Sequence, residues 1–266
     1  MATMSPTMNI MMRASEKAAR SLLRDFNEVE HLQVSKKGPG DFVSAADKRS
    51  EEIIFEELKK ARPRYSFLME ESGEIKGSDP EYRWIIDPLD GTMNFLHGLP
   101  HWAISIALEH NNEIIAGLVH DPVKDEMFHA EKGTGAFIAR RRRLRVSGRN
   151  AAESSVIATG FSGRSDEQSV QFIEKYIALT KKGFSLRRCG AAALDLAYVA
   201  AGRFEGFWEY RLKPWDIAAG TLIVKESGGF VSDIDDIRKN PVHTGSVIAA
   251  NEYFFDDLGK ILRQAS

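Results

Sequence analysis

The stretch WIIDPLDGTMNF, residues 84–95, places two carboxylates, Asp87 and Asp90, on either side of Pro88 and Leu89, with Gly91 and Thr92 directly behind. Proline after the first aspartate and glycine after the second favour a turn, and DPLDG alone is satisfied as the end of a strand with two solvated aspartates. The same turn, however, folds the carboxylates toward one point, where like charges repel unless a cation lies between them. A hard divalent ion, held through oxygen, reverses the sign of that interaction. The carbonyl of Leu89 is a candidate further ligand. Gly91 and Thr92 then offer backbone N–H groups suited to a phosphate oxygen, and the Thr92 hydroxyl can position a water. A metal side and an anion side thus fall within six residues.

One turn does not saturate a magnesium site that must also grip a phosphate. Three more acidic positions are candidates to complete it. Glu70, in MEESG, ends a preceding short strand, although with Glu71 it also reads as a solvated acidic pair. Asp216 follows Trp215 at the start of an apolar helix, and Asp47 opens an earlier helix; each fits a plain N-cap as well as a ligand. Considered together, these groups lie at the ends of elements rather than on solvated helix faces, which favours a shared site.

The elements that must position them follow from periodicity. Residues 10–26 suit an amphipathic helix, with Ile10, Ala14, Ala18 and Leu22 at four-residue spacing, and about eight residues before it read as a loose end. KKGPGDF breaks that helix; a second follows from Asp47, with Ile54, Leu58 and Ala61 on one face and Pro63 ending it. Residues 66–69 read as a short strand, and GEIKGSDPEY as an exposed loop. HWAISIALEH and EIIAGLVHDP, separated by Asn111 and Asn112, carry a hairpin signature, and Gly133 and Gly135 mark a further turn. Residues 1–150 therefore read as two helices on an antiparallel-rich sheet. Beyond them strands alternate with helices at 167–181, in AAALDLAYVAAG and in WDIAAGTLIVKESGG, which favours a layered α/β half over 151–266 within one compact catalytic unit.

Bulk properties exclude several function classes. With 36 Lys and Arg against 38 Asp and Glu, the formal charge is −2, so no global field recruits DNA or an anionic membrane. The single cysteine, Cys189, excludes an intrachain disulfide and a thiolate zinc cluster and fits a reducing compartment. No apolar run approaches the ~20 residues that span a bilayer, and the N-terminus lacks a secretory pattern. A cytoplasmic protein is expected. The basic run Arg140, Arg141, Arg142 and Arg143, with Arg145, reads as a solvated hairpin, the alternative being contact with RNA or an acidic partner.

WIIDPLDGTMNF with MEESG before it, and PWDIAAGTLIVKESGG about 120 residues later, resemble the two signatures of the inositol monophosphatase family. RRCGAAALDLAYVAAGRFEGFWE resembles its bacterial SuhB-type branch. The resemblance implies an α/β fold, a layered α-β-α-β-α sandwich of the inositol monophosphatase and fructose-1,6-bisphosphatase type. It also implies hydrolysis of a phosphate monoester with two to three Mg2+ ions, lithium sensitivity and a homodimer.

By motif position, the resemblance assigns Glu70, Asp87 and the Leu89 carbonyl to a first metal and Asp87, Asp90 and Asp216 to a second, with Glu70 helping to hold a third. Gly91 and Thr92 would contact phosphate, and Asp47 would pair with Thr92 to activate the attacking water. Glu209 matches a glutamate that accepts hydrogen bonds from inositol hydroxyls, Ala192 and Ala193 match small pocket residues, and Lys36 matches a lysine near the metals, with Lys37 beside it leaving the register open by one. Two features depart from the pattern: Arg187 and Arg188 stand close to the substrate side, where arginine suits a second phosphate, and Met93 stands where the family often has Thr. Cys189 and the histidines are expected to serve packing or the surface. Inositol 1-phosphate leads as substrate. Fructose 1,6-bisphosphate, histidinol phosphate and nucleotide 3'-phosphates are the alternatives, and a regulatory role in a transcription complex is the alternative class.

Overall fold

The computed structural model describes residues 4–28, 34–38, 41–139, 142–161 and 167–264, the side chains of 34–38, 41–44, 167 and 168 excepted. Arg140 and Arg141 lie outside the described residues, as do the side chains of Lys36 and Lys37. The first helix, α1 (Pro6–Asn27), starts earlier than the periodicity suggests. Ser5 caps it by accepting from the Met8 amide at 3.0 Å, and Pro6 at the first helical position needs no donor partner. From residue 5 onward the segment expected as a loose end is therefore anchored, with Met8 buried. A hairpin of β1 (Val34–Gly38) and β2 (Asp41–Ser44) leads into α2 (Ala45–Ala61).

Next come β3 (Tyr65–Met69), β4 (Gly73–Ile75), β5 (Asp79–Asp90) and the short helix α3 (Thr92–Leu96). The stretch GEIKGSDPEY is thus not all loop. Its first residues turn back to pair with β3, and its last ones begin β5. The strands β6 (Ala103–His110) and β7 (Glu113–Asp121) form the expected hairpin, closed by Asn111 and Asn112 at φ 50° and 64°, the left-handed region a tight hairpin turn needs. After β8 (Glu126–Glu131), β9 (Gly135–Ile138) and β10 (Arg142–Arg143), the first sheet is complete, in the order β10-β9-β8-β7-β6-β5-β3-β4. Only β3 and β5 run parallel in it.

The remaining elements are β11 (Val156–Thr159), α4 (Glu167–Lys181), β12 (Ser185–Arg187), α5 (Ala192–Ala200), β13 (Gly206–Glu209), α6 (Pro214–Glu226), β14 (Phe230–Ser232), α7 (Pro241–Thr244), β15 (Val247–Ala250) and α8 (Phe255–Gln264). Gly228, at φ 89°, follows the end of α6 in the left-handed conformation expected of a helix stop. The second sheet runs β12-β11-β13-β15-β14.

Two-residue alternation explains the layering. Along β5, Trp84 and Ile86 face α1 and α2, packing with Met11, Leu22, Ile54 and Leu58. Ile85 faces the other way, toward Leu196, Ile217 and Ile223 of α5 and α6. That helix pair is apolar almost all round because it lies between sheets, touching Phe207 and Ala249 on its second side. Trp208 and Ile248 then face outward against Leu179 of α4 and Leu258 and Leu262 of α8. The result is helix, sheet, helix, sheet, helix, and each large side chain so buried contributes about 1.5–3 kcal/mol. No described helix is long and apolar enough to cross a membrane.

Candidate active site

The strand does not stop at Asp87 but runs on to Asp90. Pairing with β6 continues through a bulge between Asp87 and Asp90, and a bulge re-aims the side chains that follow it. The Asp87 carboxylate accepts the Leu89 amide at 2.9 Å, and Ser50 of α2 donates to the Pro88 carbonyl at 2.9 Å. Gly91 then takes φ 93°, and a Cβ there would stand 3.1 Å from the His101 carbonyl oxygen. The chain enters α3 at Thr92 directly afterwards.

Each of the other acidic candidates reaches the same place from a different element. Asp47 lies inside the first turn of α2; it is fully buried, and its Oδ1 accepts from the Thr92 hydroxyl at 2.9 Å. The Leu89 carbonyl is 3.2 Å from that hydroxyl and offers it a second acceptor. Glu70 follows β3, its amide donating to the Ile86 carbonyl at 3.2 Å. Buried Glu51 braces the next residues, accepting from the Glu71 amide and the Ser72 hydroxyl. Asp216 sits in the first turn of α6 and accepts the Lys213 amide at 2.7 Å, so it caps from inside the helix and faces the cleft as well. Asp90 accepts the Ala193 amide at 2.7 Å, at the start of α5.

A cleft of about 210 Å3 brings together Glu70, Asp87, Leu89, Asp90, Gly91, Thr92, Asp216, Glu209, Ala192 and Arg188. Arg188 donates to the Phe161 carbonyl on its rim. Among the expected residues whose side chains are described, three are not in its lining. Asp47 stands behind Thr92, Ala193 contributes its amide to Asp90, and exposed Arg187 lies in β12, donating to the Leu186 carbonyl. Consecutive positions diverge here, and only Arg188 turns to the cleft. Arg142 and Arg143 lie exposed in the edge strand β10, away from it, and Arg145 is also exposed.

Burial and mutual repulsion dominate the electrostatics. Burial raises the Asp87 carboxyl well above the usual range, and Glu70, Asp90 and Asp216 add to the effect. Asp90 is raised in the same way by burial and then Asp216, against the opposing Ala193 hydrogen bond. Burial lifts Asp216 to about 6. Glu209 is also pushed well up, by burial first and then Asp195, Asp216 and Asp90, with Arg188 opposing. Carboxylates packed this closely, offering only oxygen donors, fit a hard divalent cation, which would invert each of these shifts. Cys189 is different: burial and Asp195 push its thiol up to about 12, so it is no nucleophile at neutral pH.

Several cleft residues carry little or no sequence signal. Gly160 and Phe161 follow β11, and a Cβ on Gly160 would come within 2.0 Å of the Glu209 carboxylate, so only glycine lets β11 and β13 end side by side there. Gly190, Ala191 and Leu212 complete the wall. Asn94, two residues after Thr92, does lie in the acidic motif; its amide nitrogen donates to the carbonyls of His101 at 2.7 Å and Cys189 at 2.8 Å, tying two loops to α3.

An oxygen-only set of carboxylates facing a glycine–threonine turn, at the junction of two sheets with helices between them, is chemistry for cleaving phosphate esters with the help of cations. The chain belongs to the inositol monophosphatase family, whose model matches residues 3–265. This is a family of phosphate monoester hydrolases that are generally metal-dependent. The chain is similar to an inositol-1-monophosphatase of Mesorhizobium japonicum, at 52% identity over 93% of this chain and 92% of that protein. It is also similar to the Nus factor SuhB of Escherichia coli strain K12, at 41% identity over 93% and 92%. Among solved structures, the extragenic suppressor protein suhB of Bartonella henselae superposes with a TM-score of 0.93 at 50% identity, covering 98% of this chain and 99% of that one.

Proposed function

We propose that this chain hydrolyses myo-inositol 1-phosphate to myo-inositol and inorganic phosphate with two to three Mg2+ ions. The observation that carries this reading is the Thr92–Asp47 hydrogen bond of 2.9 Å standing beside the carboxylates of Glu70, Asp87, Asp90 and Asp216. Glu70, Asp87 and the Leu89 carbonyl would hold one ion, and Asp87, Asp90 and Asp216 a second; Glu70 would help to hold a third. When bound, the ions supply Lewis acidity at the phosphoryl oxygens and lower the pKa of a coordinated water.

The remaining work falls to the chain. Gly91 and Thr92 present amides to the phosphate oxygens. Because the Thr92 hydroxyl donates to Asp47, its lone pairs are free to accept from the attacking water, and the proton passes through Thr92 to Asp47. The water oxygen bonds to phosphorus in line as the ester P–O bond breaks; the leaving alkoxide takes a proton from solvent water to become the alcohol, and the proton held by Asp47 returns to solvent through Thr92, which balances the step. No covalent enzyme intermediate is needed.

Glu209 accepts hydroxyl groups of the polyol, and Ala192 leaves room for its ring. Arg188, facing the cleft, supports fructose 1,6-bisphosphate as a further substrate, with Arg187 more distant. Residues 1–150 and 151–266 act as one catalytic unit, in a cytoplasmic homodimer. A phosphate-release panel tests this: inositol 1-phosphate, fructose 1,6-bisphosphate, histidinol phosphate and a nucleotide 3'-phosphate, with and without Mg2+. The inositol ester is expected to turn over fastest, only with Mg2+, with inhibition by Li+. Folded protein inactive on all four would end the hydrolase reading.

Similarity to the Nus factor SuhB of Escherichia coli favours a second reading, a binding role in a transcription complex. Pull-down of RNA polymerase components, lost when Arg142, Arg143 and Arg145 are replaced by Ser, is the outcome expected of it.

A further inference from the structure

Beside the cleft the chain gathers three side chains of another chemical character. His101 precedes β6, Cys189 precedes α5, and Asp195 lies in the first turn of α5. Each offers one donor atom, nitrogen, sulfur and oxygen, and the three atoms all lie within 4.8 Å of one another. His101 Nε2 and Asp195 Oδ1 are 3.7 Å apart, too far for a hydrogen bond, and both atoms are buried with no hydrogen-bond partner among the described residues. Asp195 is only 1% exposed, so an unsatisfied carboxylate oxygen there is costly and calls for a ligand.

We propose that His101, Cys189 and Asp195 bind a thiophilic divalent cation of the zinc class, at a site separate from the carboxylate cluster. Tetrahedral coordination by these three donors sets them roughly 3.2–3.6 Å apart, given bonds of about 2.0–2.3 Å. The His101–Asp195 separation is 3.7 Å and all three fall within 4.8 Å, so side-chain rotations of up to about 1 Å would close them on an ion. A thiolate and a carboxylate supply the charge that balances a divalent cation, and neutral imidazole completes a donor set that zinc prefers and magnesium does not. The neighbouring cluster offers only oxygen. Two adjacent sites therefore sort cations by softness.

Entry and coupling are both provided for. The His101 side chain is 19% exposed and Cys189 half-buried, which leaves a path from solvent and room for a water as fourth ligand. Asn94 holds the carbonyls of His101 and Cys189 at 2.7 and 2.8 Å, and Cys189 leads into Gly190, Ala191 and Ala192 of the cleft wall. An ion on these side chains would clamp the same two loops from their other side.

Cobalt(II) is the probe, because a cysteine thiolate bound to it gives a near-ultraviolet charge-transfer band and carboxylates do not. The full chain, saturated with Mg2+ so that the oxygen cluster is occupied, is titrated with Co2+. The band is expected to saturate at one equivalent, to be displaced by Zn2+, and to vanish in Cys189→Ser with the fold intact by circular dichroism. His101→Gln is expected to weaken the binding at least about tenfold, and Asp195→Asn likewise where it folds. Absence of a thiolate band in the wild-type protein, or a band undiminished in His101→Gln, would overturn the proposal. Because the readout is optical, it stands apart from which ester the enzyme cleaves.

Discussion

The Ala193 amide donates to the Asp90 carboxylate at 2.7 Å across 103 residues of sequence, joining the last residue of β5 to the first turn of α5. A carboxylate at a helix start is stabilised by the unpaired amides there. Burial and Asp216 nevertheless outweigh that bond, so Asp90 sits well above the ordinary carboxylate range. The cleft is assembled against charge repulsion.

Replacing Asp90 by Asn keeps the shape, and the side-chain carbonyl can still accept from Ala193. One charge is lost. Hydrolysis should fall by on the order of 10^3-fold as a cation ligand disappears, while the cation-free protein unfolds at a higher temperature than wild type. Phosphate release and thermal unfolding, measured side by side in EDTA and in Mg2+, check both halves. A fully active Asp90→Asn enzyme would refute the ligand assignment.

The Thr92 hydroxyl links Asp47 to the cleft. Thr92→Val retains the volume and removes the link, and is expected to lower kcat by about 10^2–10^4-fold, the usual range for general acid–base assistance. Thr92→Ser should restore most of it. Equal rates for the Val and Ser variants would rule out the proton route.

Stability of the cation-free protein should depend on pH with a defined sign. Asp87, Asp90 and Glu209 are raised well above their ordinary values and Asp216 to about 6. The folded chain therefore binds more protons than the unfolded one, whose carboxyls titrate near ~4. The contribution of these groups is fully present below about 4 and is lost as pH rises through the folded values. His120, lowered to about 4 by burial, pulls the other way, since it must charge as pH falls. The readout is accordingly the gain in Tm on adding Mg2+ over EDTA, in which His120 cancels. It should grow from pH 4.5 to pH 7, and a flat profile would contradict the shared-charge picture.

Glu209 and Gly160 are in direct contact, since any Cβ at Gly160 would meet the carboxylate. Glu209→Gln removes a charged acceptor worth about 1.5–3 kcal/mol per hydrogen bond, roughly 10–100-fold in kcat/KM for inositol 1-phosphate. Gly160→Ala should act in the same direction by displacing Glu209. Neither change should alter hydrolysis of p-nitrophenyl phosphate, which has no polyol, by more than a few-fold. An equal loss on both substrates would remove Glu209 from alcohol recognition.

Much of this was legible without coordinates, and for local reasons. The apolar strand run of residues 84–86, the Asn111–Asn112 turn and the glycine stop after α6 are set by neighbours in sequence, where β propensity and turn chemistry act directly. Oxygen donors at element ends likewise announce themselves by type. Local signals were also missed: residues 73–75 turn straight back onto β3, and the Ser5 cap with Pro6 behind it starts α1 early.

Only the tertiary structure decided which side chains meet. Asp47 and Thr92 are 45 residues apart in sequence and share a 2.9 Å hydrogen bond because α2 packs against β5. Adjacent Arg187 and Arg188 diverge because the first belongs to an edge strand and the second has left it. Cys189, unremarkable by sequence alone, meets His101 and Asp195 only once α5 is pinned to α3 through Asn94. Donor types are carried by single residues, but their convergence depends on sheet register and helix packing, which are properties of the whole chain.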